Sequence, residues 1–134
     1  MKLANKHIFV TGGAKGIGEA IVRDAATESA AITFIDIDDN AGNKLATELT
    51  ASGKKVAYFH ADVANFEELK NAFEFGVSKF GEVTGVVNNA GVNSHADPVT
   101  MTDKEWDDFF AIDMKPVWLT AKLALPAMRK AKGG

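Results

Sequence analysis

The sequence predicts an α/β fold in which a parallel sheet carries helices on both faces. Short apolar runs alternate along the 134-residue chain with longer segments whose apolar residues recur at helical spacing. Strands that are apolar throughout are typical of parallel sheets, because helices cover both faces of such sheets. Hydrophobic residues make up 46% and charged residues 25% of the chain, as in a globular protein. The order β-α-β-α-β-α-β-α, with right-handed crossovers, favours three α/β/α layers and the strand order 3-2-1-4.

Two strand–helix units account for the first part of the chain. The apolar run HIFV at 7–10 predicts the first strand, and a glycine-rich turn separates it from a helix. That helix carries apolar residues at helical spacing, namely Ile17, Ala20, Ile21 and Ala25. The run AITFID at 31–36 predicts the second strand. The apolar face of the helix after it consists of Ala41, Leu45 and Leu49, and Gly53 ends this helix.

The third and fourth units repeat the pattern. KVAYFH at 55–60 and VTGVVN at 83–88 predict the third and fourth strands. The helix between them ends at Gly81, and its apolar face consists of Phe66, Leu69, Phe73, Val77 and Phe80.

A long helical pattern runs from Thr102 to Lys130. Proline lacks an amide hydrogen and crowds the preceding turn, so we expect Pro116 and Pro126 to bend or divide this helix. The apolar spacing predicts a buried side formed by Trp106, Phe109, Phe110, Val117, Ala121, Leu125 and Met128. Because no linker, repeat or low-complexity segment interrupts the chain, we expect one domain over residues 1–134.

Composition argues against several classes of function. The formal net charge of −3 does not favour a nucleic-acid partner. The chain has no cysteine, so we expect neither disulfides nor a thiolate metal site. The N-terminus lacks the apolar core of a signal peptide, and no apolar run approaches the length of about 18 residues that spans a membrane. We therefore expect a cytoplasmic protein with no membrane partner and no bound metal.

Gly12, Gly16 and Gly18 lie between the first strand and the first helix. Two interpretations of these glycines are open. They either permit unusual dihedral angles in a tight turn, or they expose amide groups that bind a pyrophosphate with help from the helix dipole. A glycine pattern in isolation does not decide between the two.

Asp36 favours the nucleotide-binding interpretation. It ends the second strand 18 residues after Gly18, near the offset of about 20 residues at which dinucleotide sites place an acid on the adenosine ribose. A carboxylate there accepts hydrogen bonds from ribose hydroxyls and repels a 2′-phosphate. The alternative is a solvated acid beside Asp38 and Asp39. Lys15 could attract a 2′-phosphate, but one carboxylate should outweigh one flexible lysine, so we predict NAD, with NADP less favoured.

Three motifs make the chain similar to one family. TGGAKGIG at 11–18 resembles the TGxxxGxG cofactor loop of the short-chain dehydrogenase/reductases. NNAG at 88–91 resembles a second motif of that family, and Asp62-Val63 resembles its adenine-contacting pair. The three motifs follow predicted strands in the family's order, and the resemblance covers essentially the whole chain. It implies a Rossmann-like fold and an oxidoreductase that acts on alcohols or carbonyls.

The resemblance also implies individual roles. Asp62 would contact the adenine amino group, with Val63 assisting through its backbone. In the NNAG motif, Asn89 would help to hold the central sheet, while its neighbours would line the approach to the ribose and nicotinamide. A plain Asn-Gly turn is the alternative for this motif. The predicted cofactor-binding residues are Gly12, Lys15, Gly16, Ile17, Gly18, Asp36, Ile37, Asp62, Val63, Asn88, Ala90 and Gly91.

The family's catalytic groups do not occur in this chain. Members use a tyrosine, a lysine four residues after it and an upstream serine. The ammonium of the lysine lowers the pKa of the tyrosine from about 10, so that the tyrosine can act as a base. The one tyrosine here is Tyr58, and four residues later stands Asp62, which would raise that pKa. The resemblance indicates a chain truncated before the fifth strand, which carries the serine. We expect a protein that binds NAD(H) and is inactive or weakly active alone; a non-catalytic regulatory module is the alternative.

Asp113 occupies the position at which the family has an asparagine of its catalytic tetrad. An acid there changes both charge and hydrogen-bonding polarity, so a surface or capping aspartate is the alternative. His95 follows the NNAG motif and could form an acid/base couple with Asp113, although a solvated loop histidine is the other interpretation.

The resemblance further predicts a homo-oligomer. Without a fifth strand the fourth strand becomes an exposed edge, and apolar edges invite pairing. The last helix should expose apolar side chains such as Trp118 or Leu125. We expect association through this helix or through the edge strand, as in similar family members.

Overall fold

The computed structural model describes residues 1–93 and 96–134. Within these residues, strands and helices alternate until two successive helices complete the chain. In chain order they are β1 His7–Thr11, α1 Gly16–Thr27, β2 Ala31–Asp36, α2 Asp39–Ala51, β3 Val56–His60, α3 Phe66–Phe80, β4 Gly85–Asn88, α4 Asp103–Asp113 and α5 Lys115–Ala131.

The strands form a parallel sheet in the order β3-β2-β1-β4, which confirms the predicted topology. At the carboxyl end of β1, Thr11 is paired with Ile35 of β2 and with Asn88 of β4. The chain passes from β1 outward to β3 and then crosses to β4 on the other side of β1. A crevice therefore opens at the carboxyl ends of β1 and β4, where open α/β sheets bind ligands.

Helices cover both faces of the sheet. On one face, Val22 of α1 and Leu45 of α2 pack in a cluster with Phe34 of β2. On the other face, Leu69 of α3 and Leu119 of α5 belong to a second cluster. The two clusters bury the sheet from both sides, so the expected three-layer α/β/α arrangement is confirmed.

The long C-terminal helix is divided once. The helix α4 ends at Asp113 and α5 begins at Lys115. Pro116 lies in the first turn of α5, where its missing amide hydrogen costs no helical hydrogen bond. Pro126 lies inside α5, which continues to Ala131. The expectation of a division near Pro116 is therefore confirmed, whereas Pro126 does not divide the helix.

The predicted buried side of these two helices is partly wrong. Trp106, Val117 and Leu125 are exposed, and α4 has no fully buried residue. Periodicity shows which residues share a face, but it does not show which face meets the sheet. In α5 the buried positions lie on a different face and are Pro116, Leu119, Thr120 and Ala124.

No helix in the described parts of the chain is both long enough and apolar enough to span a bilayer. The cytoplasmic location stays a prediction.

Candidate functional site

A cleft of about 390 Å³ lies at the carboxyl ends of the strands. Eight of the predicted cofactor-binding residues line it, namely Gly12, Lys15, Asp36, Ile37, Asp62, Val63, Ala90 and Gly91. The other four, Gly16, Ile17, Gly18 and Asn88, lie outside its lining. Four residues absent from the prediction complete the lining, namely Ala61, Asn89, Val92 and Ile112.

Glycine is required at two positions of the turn after β1 for steric reasons. Gly12 has a φ of +63°, and a Cβ there would lie 2.8 Å from the Cα of Ala90. A Cβ at Gly18 would lie 1.9 Å from the carbonyl oxygen of Gly12, so only glycine lets α1 pack beneath the turn. Gly16 differs, because its φ is +55° but a Cβ there would meet nothing within 4 Å. Gly16 therefore borders open space.

The first turn of α1 is open to a ligand. Lys15 occupies the N-cap position and provides no side-chain hydrogen bond to the helix. The first amides of a helix have no acceptor within it, and the helix dipole makes this end positive. Ile17 is 75% exposed, so its side chain does not cover the turn. The turn thus offers the donors and the potential that an anion such as a pyrophosphate requires.

Hydrogen bonds join the glycine turn to the NNAG segment. The hydroxyl of the buried Thr11 accepts hydrogen bonds from the amides of Asn89 at 3.1 Å and Ala90 at 3.0 Å. The side-chain amide of Asn89 donates to the carbonyl oxygens of Thr11 at 3.2 Å and Gly12 at 2.9 Å. These bonds hold two walls of the cleft at a fixed separation, in keeping with a sheet-holding role for Asn89.

Asp36 is anchored at the end of β2. Its carboxylate accepts hydrogen bonds from the amides of Ala14 and Asp38, both at 3.0 Å. A carboxylate has about four acceptor positions, so Asp36 retains capacity for further hydrogen-bond donors. The two backbone bonds orient the carboxylate toward the glycine turn, and they show that Asp36 is more than a freely solvated acid.

Lys15 is ion-paired with Asp38. The ammonium of Lys15 contacts Oδ2 of Asp38, while Oδ1 of Asp38 caps α2 by accepting the amide of Ala41 at 2.9 Å. The hydrogen bond and charge of Asp38 raise the pKa of Lys15 above its usual value. The Ala41 amide and the Lys15 ammonium lower the pKa of Asp38. The sequence showed an acidic cluster here, but it did not indicate that Asp38 would face Lys15.

Asp62 and Val63 lie on the far side of the cleft, after β3. The Asp62 side chain is exposed, and its Oδ1 accepts the amide of Ala64 at 2.9 Å. The backbone amide of Asp62 donates to Glu68 at 2.8 Å. Val63 is buried. The exposed carboxylate is available to an amino group, and the buried valine fixes the backbone beneath it.

Asn88 and Asp113 link the NNAG segment to the last helices. Oδ1 of Asn88 accepts a hydrogen bond from the Thr120 hydroxyl at 2.9 Å. Oδ1 of Asp113 accepts the amide of Val92 at 2.9 Å. Asp113 therefore caps a backbone amide of the loop beside the cleft. His95 lies outside the described residues, so its pairing with Asp113 stays a prediction.

Tyr58 lies near this site but is held as a structural donor. Its hydroxyl lies within hydrogen-bond distance of the Asp36 carbonyl oxygen at 3.0 Å and of Asp39 Oδ1 at 2.7 Å. His60 also contacts that Asp39 oxygen, at 2.9 Å. Burial, followed by the hydrogen bond to Asp39, raises the pKa of Tyr58 well above 10. A phenol with this pKa is unsuited to act as a base near neutral pH.

Within residues 1–93 and 96–134, no group of three or more histidine, cysteine, aspartate or glutamate side chains is arranged to hold a metal ion. Among the described residues, the cleft offers backbone amides at the glycine turn, the carboxylates of Asp36 and Asp62, and the ammonium of Lys15.

The fold and the cleft together define a Rossmann-like α/β protein. A parallel sheet ordered 3-2-1-4, with a glycine turn opening the first helix at the point where strand order reverses, is the hallmark of that class.

The chain belongs to the short chain dehydrogenase family, whose sequence profile matches residues 6–134. The resemblance based on the three motifs is thus confirmed. Members of this family are oxidoreductases that bind nicotinamide dinucleotides.

Individual relatives agree with this assignment. Oxidoreductase UcpA of Salmonella typhimurium is 35% identical over 133 residues, which cover 99% of this chain and 50% of that protein. (+)-Borneol dehydrogenase 2 of Salvia officinalis is 36% identical over 137 residues, covering 100% of this chain and 48% of the relative. The chain spans about half the length of the curated relatives that it matches.

Solved structures are also matched over about half of their length. A short-chain dehydrogenase/reductase from Serratia marcescens superposes with a TM-score of 0.89 at 32% identity, covering 94% of this chain and 52% of that one. A blue fluorescent protein from a metagenomic library, solved in complex with NADPH, superposes with a TM-score of 0.91 at 30% identity. The match covers 96% of this chain and 53% of that protein.

Proposed function

We propose that residues 1–134 form one dinucleotide-binding unit, the nucleotide-binding half of a short-chain dehydrogenase/reductase, and that its cofactor is NAD. The observation that carries this proposal is the position of the uncapped first turn of α1 and the anchored carboxylate of Asp36 at one cleft. Bound there, NAD would supply the hydride acceptor of an oxidoreductase. The residues of this chain bind and orient it.

The proposed contacts follow the cleft from end to end. The turn containing Gly12, Gly16 and Gly18 binds the pyrophosphate through backbone amides, and Asp36 accepts the ribose hydroxyls. Asp62 and Val63 form the adenine side. The remaining proposed contacts are Lys15, Ile17, Ile37, Asn88, Ala90 and Gly91.

Charge supports NAD over NADP. A 2′-phosphate would lie against the carboxylate of Asp36, which two backbone amides hold in place. Like charges at hydrogen-bond distance repel strongly. The blue fluorescent protein from a metagenomic library was solved with NADPH bound, which makes the cofactor choice a necessary part of the test.

We further propose that this 134-residue chain binds the dinucleotide without turning over substrate by itself. Tyr58 is the one tyrosine of the sequence, and its hydroxyl serves Asp36 and Asp39. No Tyr-x-x-x-Lys pattern occurs in the 134 residues. Activity on alcohols or ketones would then need groups supplied from elsewhere. A regulatory module that binds NAD(H) is the second candidate, and the same observation favours it.

Calorimetric titration with NADH, NADPH and ADP-ribose, run beside a hydride-transfer assay on simple ketones, tests these proposals. We expect NADH and ADP-ribose to bind and NADPH to bind at least about tenfold more weakly, because one repelled charge costs more than 1 kcal/mol. We expect no turnover. Turnover would show that another group acts as the catalytic acid. If none of the three ligands binds, the dinucleotide proposal is wrong.

We propose, finally, that the chain self-associates through α4 and α5. The outward faces of these helices carry Trp106 and Trp118, which are 55% and 59% exposed. In sequence, α4 has five acidic residues and one lysine, while α5 has four basic residues and no acid. Two copies related by a two-fold axis could place α4 of each against α5 of the other, which pairs opposite charges around an apolar centre. The outer edge of β4 is the alternative surface.

Sedimentation velocity at micromolar concentrations tests the assembly. We expect a dimer for the native chain and a dissociation constant at least about tenfold weaker for Trp118→Ser, since buried tryptophans dominate interfaces. Val99→Ser is the matched control, because Val99 is exposed but lies on neither helix. A native chain that stays monomeric across this range would contradict the proposal.

A further inference from the structure

Lys15 is the one cation among the described residues that line the cleft. It is the N-cap residue of α1 and shares the lining with Asp36 and Ile37, at the end of the cleft where the proposed function puts the adenosine ribose. A free ammonium at this position would be suited to bind a phosphate on that ribose. Whether this end of the cleft accepts or rejects such a phosphate therefore depends on what holds Lys15.

Asp38 holds Lys15, and the backbone holds Asp38. One carboxylate oxygen of Asp38 contacts the ammonium, and the other caps α2 through the Ala41 amide at 2.9 Å. The Asp38 amide in turn donates to Asp36 at 3.0 Å. Asp38 is thus fixed at both its side chain and its backbone. It is less free to follow a ligand than a carboxylate on an unrestrained loop would be.

The local charge balance then follows from three side chains. Asp36, Asp38 and Lys15 together carry a net charge of −1 at neutral pH. Without the charge on Asp38 the sum would be zero, and the Lys15 ammonium would be free to leave its present partner. The charge of Asp38 therefore decides whether the ribose end of the cleft is negative or neutral.

We propose that Asp38 is a cofactor-selecting residue. It withholds Lys15 from the ribose end of the cleft, and so it favours a dinucleotide with a free 2′-hydroxyl over one with a 2′-phosphate. This inference rests on the proposed function. It assigns the selection to a pair of residues in successive turns, in addition to the direct repulsion by Asp36.

The variant Asp38→Asn tests this assignment with little disturbance of the fold. Asparagine caps helices about as well as aspartate does, so the hydrogen bond to Ala41 can persist while the charge is lost. We expect the affinity for NADPH to increase about tenfold, because charge-assisted hydrogen bonds to phosphate become available. The affinity for NADH should change less than about threefold. Thermal unfolding of the variant, followed by circular dichroism, checks that the structure is retained.

Lys15→Met provides the matched control. In the double variant Asp38→Asn with Lys15→Met, the gain in the NADPH-to-NADH affinity ratio should disappear, because the proposed 2′-phosphate ligand is gone. A gain that persists in the double variant would overturn the inference, since it would reflect the loss of repulsion alone. An NADPH-to-NADH affinity ratio that is unchanged in Asp38→Asn would also overturn it.

The same titrations separate this inference from the proposed function. If ADP-ribose and NADH bind the native chain but the ratio does not respond to Asp38→Asn, only the role of Asp38 is wrong. If the native chain binds NADPH more tightly than NADH, the role of Asp38 is likewise wrong. If no dinucleotide and no ADP-ribose binds, the proposed function fails, and this inference fails with it.

Discussion

The side-chain amide of Asn89 donates a 2.9 Å hydrogen bond to the carbonyl oxygen of Gly12. The bond connects the turn after β1 with the segment after β4, which are 77 residues apart in sequence. Gly18 packs against the same contact, since a Cβ there would reach both the Gly12 oxygen and the Asn89 side chain. The contact therefore fixes the position of α1 relative to the end of β4.

Asn89→Ala should lower the free energy of unfolding by about 1–2 kcal/mol, because it leaves two backbone oxygens without their donor. Asn43→Ala is the matched control. The Asn43 amide also donates to a carbonyl oxygen, that of Asp39, but on the exposed side of α2. Urea unfolding should show a change below about 0.5 kcal/mol for the control. Equal losses in the two variants would mean that the contact does not stabilise the fold.

Gly16→Ala should separate ligand binding from backbone strain. Gly16 and Gly53 both have positive φ, +55° and +77°, and a Cβ at either would meet nothing within 4 Å. Each alanine should therefore cost about 1 kcal/mol of stability for the strained backbone. Only Gly16 borders the proposed pyrophosphate site. Only Gly16→Ala should therefore weaken the binding of NADH, by about tenfold or more. If calorimetry gave both variants the native affinity, the proposed phosphate position would be wrong.

Much of the fold was predictable because it is encoded locally. The strand order followed from apolar runs, helical periodicity and the handedness of crossovers. The choice of Asp36 as a candidate binding residue followed from its spacing to Gly18. The pairing of Lys15 with Asp38 was not predictable. It depends on how the turns after β1 and β2 lie beside each other at the carboxyl edge of the sheet, which no local pattern records.

The buried side predicted for the last helices was partly wrong for a related reason, although the predicted exposure of Trp118 and Leu125 is confirmed. Trp106 and Leu125 have the spacing of a buried stripe, but the sheet is covered by a second face of α5 that contains Leu119. The contact of Asp113 with Val92 also went unpredicted, because it joins a helix end to a loop of irregular conformation.

The buried His7 should make the protein less stable in acid. Burial lowers the pKa of His7 below its ordinary value of 6.5, so below that pH the unfolded chain binds a proton that the folded chain does not. The stabilisation is present above pH 6.5 and is lost as the pH falls toward the folded pKa. The urea midpoint should fall between pH 7 and pH 5. His7→Gln should reduce this dependence of the urea midpoint on pH. If the urea midpoint depended on pH equally in the native chain and in His7→Gln, this explanation would be refuted.

Tyr58 should ionise only at high pH. The buried environment and Asp39 raise its pKa above 10. Because it is the one tyrosine, the rise in absorbance near 295 nm on phenol ionisation reports Tyr58 alone. The folded state favours the neutral phenol, so this stabilisation is present below pH 10 and is lost as the pH rises through the folded pKa. Asp39→Asn should move the midpoint down toward 10. A native midpoint at or below 10 would contradict the structural role given to Tyr58.

The most direct measurement is a titration of the isotope-labelled chain with NAD, followed by amide chemical shifts. We predict that the largest shifts occur at the glycine turn around Gly16, near Asp36 and in the NNAG segment. A second groove of about 960 Å³ lies at the opposite end of the sheet, where the basic residues of its lining are Lys6, His7, Lys54, Lys55 and Lys79. Shifts confined to that groove, or no saturable shifts at all, would contradict the account.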